Sequence, residues 1–176
     1  MNAHLSSLIG DTQSLVRAKS IELEPKWNIV MKVDVHADTR RLFNALVEPE
    51  YRELWMRLPG QDQGGGRLAA SRAGDLFRLD YYRAGKLDLS ILGAYHTCRL
   101  RKIICSWWTG ISKSPVSSVE LHLDGSFENS LLRLNHRGLV SEREYLWHRE
   151  MWRLSLAKLQ CIFRATLTGD GERRGG

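Results

Sequence analysis

The stretch SEREYLWHREMWRLSLAKLQCIFRATL, residues 141–167, decides the fold. Ser141 stands where a helix cap belongs, and Glu144 three residues later completes a capping box. From there to Leu167 no Gly or Pro occurs, and Tyr145, Trp152, Leu156, Leu159 and Phe163 recur at helical spacing. The spacing predicts one long amphipathic helix. Its apolar face must be buried against another layer, which the upstream sequence has to supply.

That layer reads as strands. Trp27, Ile29, Met31, Val33 and Val35 alternate with Asn28, Lys32, Asp34 and His36, the two-residue period of a half-buried strand. After Asp38, a good N-cap, Leu42, Phe43 and Leu46 give a short helix, which Glu48-Pro49 breaks. Tyr51, Leu54 and Trp55 suggest a second short helix, and Gly60 to Gly66 reads as a loop. Phe77, Leu79 and Tyr81 then alternate with Arg78 and Asp80, and Leu87, Leu89, Ile91, Gly93 and Tyr95 share a face. Ile103, Cys105 and Trp107 follow, then Val119, Leu121 and Leu123, then Leu132, Leu134 and His136, each group against outward neighbours. Short turns between the strands imply an antiparallel meander. The expected fold is α+β: a curved antiparallel sheet of about six to seven strands around the long C-terminal helix, a helix-grip arrangement.

Length and composition agree. The chain has 176 residues, 43% hydrophobic and 26% charged, with a formal net charge of +6. That suits one domain with short appendages, since a single core serves roughly 100–200 residues. The expected division is a loosely helical arm over 1–26, a domain over 27–167 and a flexible, glycine-rich tail over 168–176. No apolar run approaches the roughly 18–20 residues of a membrane-spanning helix, and Met1 to Ser7 lacks the parts of a secretory signal. The expectation is a cytoplasmic protein with no membrane partner. Arginine supplies 19 of the 26 basic residues, but they are scattered, with no stripe that would follow successive phosphates. Nucleic acid is therefore not an expected partner. Cys98, Cys105 and Cys161 match no metal or haem spacing and read as buried, reduced thiols.

Several motifs, in order, carry a family likeness. Val33-Asp34-Val35-His36-Ala37-Asp38 leading into Leu42-Phe43-Asn44-Ala45-Leu46 resembles the opening of SRPBCC (START-like) domains. Glu48-Pro49-Glu50-Tyr51-Arg52-Glu53-Leu54-Trp55-Met56 is similar to their Asp-Pro-Glu motif ending in Trp-Trp, with Met56 in place of the second tryptophan. Gly64-Gly65-Gly66-Arg67, Gly93-Ala94-Tyr95 with Ile103-Ile104-Cys105-Ser106-Trp107, Leu132 to Leu139, and Trp152-Leu156-Leu159 continue the pattern. The branch most resembled is the activator of heat-shock protein 90 ATPase homologue (Aha1-like C-terminal domain) family, over roughly residues 27–165. Residues 1–26 have no counterpart in it. The resemblance implies a cavity between sheet and last helix, without a universal catalytic set.

The candidate cavity lining is Phe77, Tyr81, Leu89, Tyr95, Cys105, Trp107, Leu134 and His136 from the strands. Trp152 and Leu156 face them from the last helix, with Trp55 and Met56 near the mouth. A mostly apolar pocket with a few polar groups is the usual form of a small-molecule site. The plainer alternative is that these residues fill the core. His136 is the most interesting of them, since imidazole titrates near neutrality. Pairing about the 124–129 turn sets it near Ser117 and sets His122 near Leu131, which makes a satisfied structural histidine the favoured reading and forms no metal pair. Asp80, Asp88 and Glu120 alternate outward, Glu150 and Arg153 are spaced for a surface pair, and no nucleophile elbow or phosphate loop occurs. No catalytic residue, metal or cofactor is assigned.

The expected function is binding of a hydrophobic or lipid-like small molecule, without catalysis. One alternative is a cavity enzyme of polyketide cyclase or dehydrase type, using His136 with Tyr81 or Tyr95. The other is a protein-interaction module contacting a chaperone, as the family name implies. An exposed edge strand could also pair two copies in a homodimer.

Overall fold

The computed structural model describes residues 27–60, 66–109, 116–125 and 127–169. The expected arm over 1–26, the Gly64-Gly65 pair and the expected tail beyond Gly169 lie outside those residues. The elements are β1 (Trp27–Val35), α1 (Thr39–Val47), α2 (Pro49–Trp55), β2 (Gly66–Ala73), β3 (Leu76–Arg83), β4 (Lys86–Arg99), β5 (Lys102–Thr109), β6 (Ser117–Gly125), β7 (Ser130–Leu139) and α3 (Glu142–Gly169).

The strands form one curved antiparallel sheet in the order β1-β7-β6-β5-β4-β3-β2. From β2 to β7 each strand pairs with its sequence neighbour, and β1 then pairs with β7. The helices α1 and α2 therefore carry the chain from one edge of the sheet to the other. Asp38 starts α1 as expected, accepting the Arg41 N–H at 2.8 Å, an N-cap worth about 1 kcal/mol. Ser141 accepts the Glu144 N–H at 3.2 Å at the start of α3, while the Glu144 carboxylate accepts from Val140, one residue before the cap.

The long helix packs on the sheet through Met151, Trp152, Ser155, Leu156, Leu159 and Phe163, all buried. Two polar ties fix it. Ser155 Oγ accepts the Arg57 N–H at 2.8 Å and donates to the Arg57 carbonyl at 3.0 Å, and Gln160 donates to the Asp34 carbonyl at 2.8 Å. The first tie holds the segment after α2 against α3; the second holds β1.

Three details differ from expectation. Strand β2 carries too little apolar signal to be assigned from sequence, because Leu68 is its one buried residue among Ala, Ser and Arg. The β6–β7 register pairs Val119 with His136 and His122 with Arg133, two residues from the expected alignment. A shift of two leaves every side chain on its expected face. Of the cysteines only Cys105 is buried: Cys98 follows the irregularity at Tyr95/Thr97 that breaks the β4–β5 register, and Cys161 lies on an exposed side of α3.

Candidate functional site

All twelve candidate lining residues are buried in a single core cluster or, for His136, inside it. Phe77 on β3 contacts Tyr95 on β4 and Trp107 on β5, with ring centroids 5.2 and 5.6 Å apart. Trp107 reaches Trp152 on α3 at 5.1 Å and His136 on β7 at 6.2 Å. Tyr81, Leu89, Cys105, Leu134 and Leu156 belong to the same buried cluster. The Met56 sulfur lies 3.2 Å from Ser155 Oγ, so the end of α2 packs against α3 there.

Two glycines shape the inner face of the sheet. A Cβ at position 93 would overlap the Phe77 ring, and one at position 66 would overlap Tyr81. Glycine at both sites lets these rings lie across the strand backbone.

His136 is wholly buried and its protonation is set by its neighbours. Trp152 Nε1–H donates to His136 Nδ1 at 3.1 Å, so Nδ1 must carry a lone pair. The proton of the neutral ring then sits on Nε2, which donates to Ser117 Oγ at 2.7 Å, and Ser117 passes its own hydrogen to the Trp107 carbonyl at 2.9 Å. Every donor has one acceptor. Burial, with His148 close by, holds the His136 pKa well below the usual imidazole range. This is the satisfied structural histidine, with Ser117 as its partner. It has no free lone pair with which to act as a base.

His148, in the second turn of α3, stands edge-on to His136 at 4.8 Å. Its Nδ1–H donates to the Glu144 carbonyl at 2.8 Å, which leaves Nε2 as an acceptor. That atom and Trp107 Nε1 are both buried without a hydrogen-bond partner among the described residues. Burial also lowers the His148 pKa, against the pull of the Glu144 carbonyl.

Arg52 is the residue that sequence reading passed over. It lies on α2, i,i+3 from Trp55, and both side chains are buried. That shared helical face was the available signal. Its Nε and Nη2 donate to the Leu46 carbonyl at 3.2 and 2.7 Å, satisfying an orphan carbonyl at the end of α1. Nη2 also donates to Tyr95 Oη. The guanidinium carbon lies 4.8 Å from the centre of the Phe77 ring, a cation–π placement. Burial raises the Tyr95 pKa while Arg52 opposes it, and burial pushes the Cys105 thiol up to about 12. Cys105 is thus a neutral thiol near pH 7 rather than a nucleophile.

A separate cleft of about 320 Å³ opens between the three helices, lined by Ala45, Leu54, Trp55, Leu159, Ile162 and Phe163 with Arg41, Asn44 and Tyr51. Of the candidate residues, Trp55 alone takes part in it. The expected outward acids form surface pairs: Asp80 with Arg78, Asp88 with Arg83, Glu120 with Lys102 and His122, and Glu150 with Arg153. Among the described residues no helix is long and apolar enough to cross a membrane.

No family model and no curated protein matches the chain. Solved structures do. Protein CV1439 from Chromobacterium violaceum superposes with a TM-score of 0.64 at 14% identity, over 78% of this chain and 97% of that one. CalU16 from Micromonospora echinospora gives 0.55 at 20% identity, over 78% and 74%. DynU16, a protein in the dynemicin biosynthetic locus, gives 0.57 at 18% identity, over 82% of this chain and 49% of its own. At these identities the likeness establishes the helix-grip fold.

Proposed function

We propose that the protein binds a hydrophobic or lipid-like small molecule between the sheet and α3, and does so without catalysis. The observation that carries this reading is the indole N–H of Trp107, buried among aromatic rings with no acceptor among the described residues. A buried donor left unpaired costs about 1–3 kcal/mol, so a sequence that keeps one is expected to use it. Gly66 and Gly93 support the same reading, since they let Tyr81 and Phe77 lie across the strand backbone and take bulk out of the interior. The locked tautomer of His136 and the neutral Cys105 thiol weigh against an enzyme built on either group.

Native mass spectrometry of the purified protein with a panel of lipids and aromatic metabolites tests the proposal. At least one class should be retained by the wild type and lost by Trp107→Ala. Retention of nothing, or retention indifferent to that substitution, would sink it.

A further inference from the structure

The interior around Phe77 holds an excess of donors. Arg52 is 5% exposed, yet no carboxylate pairs with it among the described residues. Glu48, the acid at the start of α2, turns instead to Arg72, 3.9 Å away. Arg52 spends Nε and Nη2 on backbone carbonyls and Tyr95, and Nη1 makes no hydrogen bond among the described residues. Tyr95 Oη accepts from Arg52, which leaves the phenolic O–H itself without an acceptor there. Trp107 Nε1–H, on a ring 5.6 Å from that of Phe77, is fully buried and also has no acceptor among the described residues. Arg72 adds a second guanidinium 5.4 Å from the centre of the Tyr95 ring, where Arg52 lies at 5.7 Å, so two cations stand near the phenol.

A buried charge normally stays paired, because leaving it alone costs several kcal/mol. Carbonyls at the end of α1 and the Phe77 face offset part of that cost, and neither carries a full negative charge. We propose that this site is built for an anion: the ligand is an apolar molecule bearing a carboxylate, its acid group received by Arg52, Tyr95 and the Trp107 indole N–H and its body laid against Phe77. This rests on the small-molecule reading above and adds the class of its ligand. A carboxylate supplies acceptor lone pairs only, which is what three idle donors need.

Matched probes separate the two ideas. Myristate and anthracene-2-carboxylate are titrated against their methyl esters on the full chain, by calorimetry and native mass spectrometry. The acids are expected to bind at least tenfold tighter than the esters. Arg52→Lys, which keeps the charge, should preserve the preference, and Arg52→Met should abolish it; folding of each variant is checked by circular dichroism. Acids and esters binding equally well to the wild type would overturn the anion assignment and leave hydrophobic binding standing. Binding of neither acid nor ester, in the face of a ligand retained from the wider panel, would overturn the carboxylate assignment alone. A wider panel that also yields nothing removes both.

Discussion

Trp152 donates its indole N–H to Nδ1 of His136 over 3.1 Å, and that bond joins the long helix to the last strand inside the core. It fixes the imidazole as the neutral Nε2–H tautomer and hands the other side of the ring to Ser117. Trp107 lies against the same two rings with its own N–H idle. Two tryptophans of one core thus stand in opposite hydrogen-bonding states.

A matched pair of substitutions separates those states. Trp152→Phe strands His136 Nδ1 and should cost about 2–4 kcal/mol, the lost packing plus an unsatisfied buried acceptor. Trp107→Phe removes a similar volume but also removes an unpaired donor, so it should cost roughly 1–2 kcal/mol less than its counterpart. Urea unfolding of the ligand-free variants measures both. Equal losses would mean that the Trp152–His136 bond has no special weight.

Stability should fall on mild acidification. His136 and His148 are both held below the ordinary imidazole value of 6.5 by burial. The unfolded chain takes up these protons near 6.5 and the folded one does not, so protonation favours unfolding as pH drops below that value. Each group adds a slope of up to about 1.4 kcal/mol per pH unit until its folded pKa is passed. The lowered carboxylates Glu120 and Glu150 begin to contribute only nearer 4.5. Urea midpoints compared at pH 7.5, 6.5 and 5.5 should fall slightly across the first step and clearly further across the second.

Ser155 is wholly buried and ties both polar groups of the Arg57 backbone to α3. Ser155→Ala leaves an amide and a carbonyl unpaired and should cost about 2–3 kcal/mol. A loss under about 0.5 kcal/mol would show that the segment after α2 finds other partners.

Ala84 offers a gain. It occupies positive φ, 49°, before Gly85 at 76°, in the two-residue turn joining β3 to β4. Asn-Gly is the favoured pair for such a turn, and a left-handed alanine costs about 1–2 kcal/mol. Ala84→Asn should therefore raise stability by roughly 0.5–1 kcal/mol, read as a higher urea midpoint with an unchanged slope.

The sheet and the long helix were legible because both rest on periodicity. Phe77-Leu79-Tyr81 and Val119-Leu121-Leu123 show period two, while Trp152-Leu156-Leu159-Phe163 shows the helical period. β2 was not, since an edge strand that buries Leu68 and little else has no apolar pattern to show. The members of the site were legible as inward-facing aromatics, but their hydrogen-bonding states were not. Whether Trp107 or Trp152 finds an acceptor depends on packing between β5, β7 and α3, which no local pattern encodes. Arg52 was hidden for a related reason: a cation on a helix reads as solvated until the carbonyls of the preceding helix are seen to receive it.

The most direct measurement follows the indole N–H resonances in a ¹⁵N correlation spectrum as anthracene-2-carboxylate is titrated into the protein. The Trp107 Nε1–H signal should move downfield as it gains an acceptor. Trp152 and Trp55, already bonded to His136 and to the Ala45 carbonyl, should move little. A bound probe that leaves the Trp107 signal in place, or that shifts only Trp55 beside the helical cleft, would contradict the assignment of the ligand to the interior between the sheet and α3.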